Sequence, residues 1–265
     1  MRFGAMNFPV RPVLEEIDAF GALQMDYLEL AMDSPMAHHS RISQEKSALL
    51  TALDRWKMGL VCHLPTFVYI AHLTESIRQA SIQEVLDALE TASDLGAEKV
   101  VVHPGYIDGM AVHVPDYALN LVMEALEKIW LRSCQLSISL CIENMFPRVG
   151  PFVEPDDFEP IFAAFPEMKL VLDTGHANIG DKVGHRVLDF IQRFGHRLGH
   201  LHVSDNNGRL DEHLPVGHGN IGFKAVASAL KQVGYQGTLT LEIFAPDRTE
   251  LVTSRRKLEK IWQKV

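Results

Sequence analysis

Cysteine is scarce. The 265 residues include three, Cys62, Cys134 and Cys141. Three cannot build a disulfide framework, so a reducing compartment is expected. No run approaches the ~20 apolar residues that a membrane span needs, so no membrane partner is expected. Met1-Arg2-Phe3-Gly4 leads directly into alternating sequence, without the apolar run and cleavage site of a signal peptide. The reading is a cytoplasmic protein. Positive charge is also short: 25 Lys and Arg stand against 34 Asp and Glu, a formal charge of −9. That excludes a broadly basic nucleic-acid binder and leaves DNA only a local positive site. Low-complexity tracts, charge runs and linker-like stretches are missing. The composition, 47% hydrophobic and 22% charged, is that of a folded chain and not of a disordered one.

What is present is a rhythm. Short apolar or β-branched runs fall at Phe3–Phe8, Tyr27–Met32, Leu60–Leu64, Lys99–His103, Ser137–Asn144, Lys169–Asp173, Leu198–Val203 and Gly237–Phe244. Each is followed by room for a helix. Over Thr74–Leu95, Ile82, Val85, Leu86, Leu89, Ala92 and Leu95 recur at three- and four-residue steps, with Gly96 as the stop. Asp116–Leu131 repeats the pattern through Leu119, Val122, Leu126 and Ile129, and Pro155, Pro160 and Pro166 bracket a shorter fifth helix. Strands that alternate with helices pair in parallel, because a parallel connection needs a crossover. Eight such units predict an α/β fold, a (β/α)8 TIM barrel, as a single domain over residues 1–265; an open doubly wound sheet is the competitor.

The polar residues fall in a pattern of their own. The third to eighth runs end in or carry His63, His103, Glu143, Asp173, His202 and Glu242. In a parallel barrel the C-terminal strand ends converge on one mouth, where the active sites of this fold lie. Acids and imidazoles crowded there are costly without a compensating charge, and a divalent cation supplies it. Mixed nitrogen and oxygen donors suit zinc, manganese, cobalt or iron, and calcium would want more oxygens. His176 follows the sixth strand, and Asp211 and His213 lie two apart in a loop. The candidate metal ligands are therefore His63, His103, Glu143, Asp173, His176, His202, Asp211, His213 and Glu242. Their four carboxylates carry −4, so three divalent cations would leave the cluster positive and suited to an oxyanion. His38, His39, His72, His113, His185, His196 and His200 read as surface or structural. Cys62 and Cys141 read as core thiols facing the helix layer. Phe8, Phe67, Tyr69, Tyr106, Met145 and Phe146 follow strand ends, where they would wall a pocket or simply pack as loops. Arg148 and Arg209 are loop cations, read as a phosphate hold or as solvated surface.

Several phrases together resemble the xylose isomerase-like TIM barrels, which join sugar isomerases and epimerases with endonuclease IV. The matching stretches are Cys62-His63-Leu64-Pro65, Val102-His103-Pro104-Gly105, Ile142-Glu143-Asn144, Leu172-Asp173-Thr174-Gly175-His176, His200-Leu201-His202-Val203-Ser204-Asp205, Asp211-Glu212-His213-Leu214-Pro215, Gly217-His218-Gly219-Asn220-Ile221 and Leu241-Glu242.

Two activities follow from the resemblance. The sugar branch implies one manganese-type ion on Glu143, Asp173, His202 and Glu242, with His176 against the substrate. There Glu143 and Glu242 are also the catalytic pair, passing a proton between adjacent carbons of a sugar-like substrate through an enediolate. The endonuclease branch implies three zinc ions: Glu143 bridging two, His63 and His103 completing one site, Asp173, His202 and Glu242 the second, and His176, Asp211 and His213 the third. That alternative is a phosphodiesterase acting on abasic DNA. One to three divalent ions per chain, zinc or manganese, are thus expected. The loop Glu29-Leu30-Ala31-Met32-Asp33-Ser34-Pro35 lacks the basic, aromatic character of the repair enzymes, and Tyr27-Leu28-Glu29-Leu30 resembles the sugar branch. His218 stands where both branches often place a glutamate, and Val149 and Gly150 where epimerases carry a second substrate-binding one. The isomerase reading is preferred, with the phosphodiesterase as the alternative.

Overall fold

The computed structural model describes all 265 residues except 108, 149, 182 and 183. Eight strands close into a parallel barrel in chain order. They are β1 (Arg2–Met6), β2 (Tyr27–Ala31), β3 (Gly59–His63), β4 (Lys99–Val102), β5 (Ser139–Glu143), β6 (Lys169–Asp173), β7 (Leu198–Val203) and β8 (Thr238–Leu241). The crossovers carry α1 (Val13–Ala22), α2 (His39–Trp56), α3 (Glu75–Asp94), α4 (Pro115–Gln135), α5 (Glu159–Ala164), α7 (Arg186–Phe194), α8 (Phe223–Gln232) and α9 (Thr249–Lys264), with a short extra helix, α6 (Thr174–Asn178), directly after β6. The open-sheet alternative is excluded, since β1 pairs with β8 from Arg2↔Thr238 to Ala5↔Leu241.

The helices follow their apolar spacing. On α3, Ile82, Val85, Leu89 and Ala92 are buried against the barrel, and Gly96 at φ +73° closes the turn that a side chain would strain. Pro115 opens α4, where its missing N–H costs nothing. The helix then runs past the expected Leu131 to Gln135, because Ser133 is still buried.

Side chains alternate between the helix layer and the barrel interior. Tyr27, Val61, Val101, Cys141 and Val171 form a small separate apolar cluster inside the barrel. Cys141 is therefore not in the helix layer, as expected, but points inward; it lies two residues before Glu143 on β5 and shares its face. Cys62, one residue before the inward His63, does belong to the outer core. Gly4 on β1 leaves space for Tyr27: a Cβ there would sit 2.3 Å from the tyrosine ring.

A candidate metal centre at the barrel mouth

Each of β3 to β8 places its polar residue by the same device, an inward position at or near the end of the strand. His63, Glu143 and Asp173 end their strands, His202 lies one residue from the end of β7, and His103 and Glu242 follow β4 and β8. The Glu242 amide still donates to the Val203 carbonyl at 3.2 Å, which carries the β8 register through the glutamate.

Glu143 sits at the middle. Its Oε2 faces His63 Nε2 at 3.3 Å and His103 Nε2 at 3.2 Å. Its Oε1 faces His202 Nδ1 at 3.0 Å and His176 Nδ1 at 3.4 Å. His202 Nδ1 also lies 3.3 Å from Glu242 Oε1 and 4.0 Å from Asp173 Oδ2. Two donor groups result, His63–His103–Glu143 and Glu143–Asp173–His202–Glu242, each with its ligand atoms within 4.8 Å of one another. Asp211 links the rest of the predicted set, with its Oδ2 3.4 Å from His176 Nε2 and 3.0 Å from His213 Nε2.

The loop carrying Asp211 and His213 is held from below. Asp205 accepts the amides of Asn206, Gly217 and Ile221. His213 itself adopts φ +46°, a left-handed conformation that costs a non-glycine residue about 1 kcal/mol or more.

The outer nitrogens of the histidines are already committed. His63 Nδ1 donates to the Leu64 carbonyl at 2.8 Å, His176 Nδ1 to the Asn144 carbonyl at 2.9 Å and His213 Nδ1 to the Glu242 carbonyl at 3.0 Å. His202 Nε2 donates to Glu29 Oε1 at 2.9 Å. Carbonyls and carboxylates only accept, so each of these bonds takes the proton of a neutral imidazole and leaves the other nitrogen bare. That bare nitrogen faces carboxylate oxygen, an arrangement that requires either a further proton or a cation between them. Metal-ligating histidines carry this arrangement of outer hydrogen bonds.

The carboxylates fit a cation as well. Asp173 Oδ1 accepts the His176 amide at 2.6 Å and starts α6, whereas its Oδ2 is buried without a hydrogen-bond partner. Asp211 Oδ1 is likewise buried and unpartnered. Among the described residues, no lysine or arginine pairs with Glu143, Asp173, Asp211 or Glu242; their ion pairs are all to histidine.

Without a cation the histidines must supply the positive charge. Burial opposes it, but Glu242, Glu29 and Glu143 hold His202 well above the ordinary imidazole range. Asp173, Asp211 and Glu143 do the same for His176, and Asp211 and Glu242 raise His213 to about 9, again against burial. Burial would lift Glu143, yet His202 and His103 hold it well below the usual carboxylate range. For Glu242, burial and the repulsion of Asp173 and Glu143 outweigh His202, and its carboxyl is pushed up to about 7. At His103 burial wins and lowers the imidazole.

Above the donors opens a cavity of about 500 Å³, lined by Glu143, Glu242, His63, His103, His176, Asp211 and His213 at its floor. Phe8, Phe67, Tyr69, Tyr106, Met145 and Phe146 all reach it, joined by Phe244. Arg148 lines it too, whereas Arg209 and His218 are exposed outside it. Val149 lies outside the described residues.

Sequence reasoning passed over two groups. Glu29, read as a family phrase, and His200, read as surface or structural, are both fully buried on the inner face of the barrel. All five residues of β2 are buried, and a buried mid-strand glutamate demands a partner. Asn144, beside Glu143 in the sequence, acts at the strand end. Its side chain bonds both the amide (2.8 Å) and the carbonyl (3.1 Å) of Asp173 and so ties the end of β5 to that of β6.

The chain is similar to proteins on both branches. An uncharacterised protein of Methanocaldococcus jannaschii is 32% identical over 198 residues, 73% of this chain and 67% of its own. A probable endonuclease 4 of Aquifex aeolicus is 24% identical over 268 residues, covering 94% of this chain and 93% of its own. The solved structure of a D-tagatose 3-epimerase-like protein superposes with a TM-score of 0.88 at 27% identity, over 100% of this chain and 98% of that one. No helix among the described residues is long and apolar enough to cross a membrane. The family model for the xylose isomerase-like TIM barrel matches residues 17–263, and the chain belongs to that family.

Proposed function

We propose that this protein is a divalent-metal-dependent isomerase or epimerase of a sugar-like hydroxy-carbonyl compound. One observation carries the reading: the buried group Glu143–Asp173–His202–Glu242 lies at the floor of an apolar-walled cavity into which two of its carboxylates also reach. Zinc or manganese suits that donor set. A divalent cation held there would withdraw charge from a neighbouring carbonyl and hydroxyl and acidify the C–H between them. Glu143 enters the floor from β5 and Glu242 from the end of β8, so a substrate above them meets a carboxylate on two sides. One takes the carbon-bound proton and the other returns one, leaving the composition of the substrate unchanged. Aromatic side chains wall the cavity above them.

The phosphodiesterase reading has its own support in His176, Asp211 and His213, which gather beside the other donors. The rim speaks against DNA. Arg148 is the only Lys or Arg among the described cavity-lining residues, and a duplex backbone is held by many cations.

The test uses the full chain, stripped with chelator and refilled with Mn²⁺ or Zn²⁺. Incubation with a panel of ketoses in D₂O is expected to place deuterium at the reacting carbon, and Glu143→Gln to abolish the label. An unlabelled panel, together with nicking of an abasic duplex by the same preparation, would transfer the assignment to phosphodiester hydrolysis.

A further inference from the structure

Below the metal-capable groups the barrel interior holds a second polar layer. Two-residue alternation puts Glu29 on β2, His200 on β7 and Thr238 and Thr240 on β8 on the inner face, each 2% exposed or less. Glu29 Oε1 lies 2.9 Å from His202 Nε2, and its Oε2 2.8 Å from His200 Nε2. His200 Nδ1 lies 2.6 Å from the Thr238 hydroxyl, which in turn lies 3.1 Å from Lys99 Nζ. Lys99 also donates to the Gly199 carbonyl at 2.7 Å.

The hydrogens can be assigned along this chain. A carboxylate only accepts, so both imidazoles donate Nε2–H to Glu29. His200 Nδ1 then accepts from the Thr238 hydroxyl, and that oxygen accepts from the Lys99 ammonium. With a cation on His202 Nδ1, one negative charge, one positive charge and two neutral imidazoles give Glu29, His200, Thr238 and the His202 Nε2–H each a partner, as a buried network needs. The donor atoms of Glu29, His200 and His202 also lie within 4.8 Å of one another. A cation among them would have to displace both imidazole protons from a network already complete, so a carboxylate bridging two rings is the reading that fits.

We infer that Glu29, backed by His200, Thr238 and Lys99, is the positioning residue of the metal centre. It fixes the Nε2–H form of His202, turns Nδ1 toward Glu143 and Glu242, and thereby sets the affinity of the Glu143–Asp173–His202–Glu242 group for a divalent ion. The inference rests on the metal centre proposed above and is independent of which reaction that centre performs.

The experiment is calorimetric titration of the chelator-stripped full chain with Mn²⁺, with folding followed by circular dichroism. In Glu29→Gln the amide accepts from one imidazole but turns its NH₂ toward the other. The expected result is native ellipticity with Mn²⁺ binding weakened roughly 10–100-fold. Thr238→Val, which cuts the far end of the relay, is expected to weaken binding less than tenfold in the same direction. In zinc-loaded wild type, long-range ¹H–¹⁵N NMR should show His202 protonated at Nε2 and coordinated through Nδ1. Coordination through Nε2 overturns the inference even if Glu29→Gln fails to fold, as does a folded Glu29→Gln that binds Mn²⁺ like wild type. A wild-type chain that takes up neither Mn²⁺ nor Zn²⁺ overturns the metal centre itself, which is a separate and distinguishable result.

Discussion

At the scale of single residues, the centre is defined by what four of its histidines give away. His63, His176 and His213 hand their outer proton to a main-chain carbonyl, and His202 hands its own to Glu29. Ring orientation and tautomer are thus set before a ligand arrives, which preorganises the donors. Glu242, like Glu143, belongs to the four-donor group and reaches the cavity. Glu242→Gln preserves its volume and removes the carboxylate that the proposed reaction would use to carry a proton. Turnover is expected to fall at least ~100-fold, as loss of a general acid–base does, with little change in the thermal midpoint of the chelated protein. Steady-state kinetics beside a melting curve checks both parts. Equal turnover by the variant would remove Glu242 from the chemistry.

At the scale of elements, parity decides what a strand presents. Cys141 shows the rule most sharply: it shares a face with Glu143 and lies in the inner cluster with Val101 and Val171. Gly4 shows the other side of the rule, since its missing side chain is the space the Tyr27 ring occupies. Gly4→Ala is expected to cost about 1–3 kcal/mol by overpacking, read by chemical denaturation. The Tyr27 hydroxyl lies 2.8 Å from Thr240, so the same change also disturbs the layer beneath the centre. On the helix side, Leu89 of α3 is fully buried in the outer core. Leu89→Ala is expected to cost roughly 2–5 kcal/mol through lost burial and the cavity it leaves, in the same assay. A loss under ~1 kcal/mol would show that α3 packs less closely than its burial indicates.

At the scale of the whole molecule, closure and charge act together. Arg2 of β1 and Glu98, just before β4, pair across the N-terminal end of the barrel, with Nη1 2.8 Å from Oε1. The Arg2 guanidinium holds the Glu98 carboxyl below its ordinary 4.5, against partial burial. A depressed carboxylate contributes stability above its unfolded pKa and loses it as pH falls through its folded value. Glu98→Gln should therefore unfold more easily at neutral pH and show a flatter loss of stability below pH about 4.5, measured as denaturation midpoint against pH. The centre makes the opposite demand: it concentrates acids that protonated imidazoles or a cation must offset. A divalent ion at a hundred times its dissociation constant stabilises the folded state by about 2.7 kcal/mol. That should raise the melting temperature by roughly 5–10 °C over the chelated protein. No shift with Mn²⁺, Zn²⁺, Co²⁺ or Fe²⁺ would count against a metal centre.

Much of this was legible in the residues themselves. Strand–helix alternation predicts the barrel, and the limits of β6 and β7 fall where the apolar runs end, at Lys169–Asp173 and Leu198–Val203. Six polar strand ends point to one mouth because side chains alternate and parallel strands share a direction; that is local chemistry, and it is readable. What closure alone decided is which distant groups face each other across the interior. Glu29 and His200 are 171 positions apart and meet at 2.8 Å. Nothing near either residue announces the other, since the partner of a buried charge is chosen by barrel curvature and strand register.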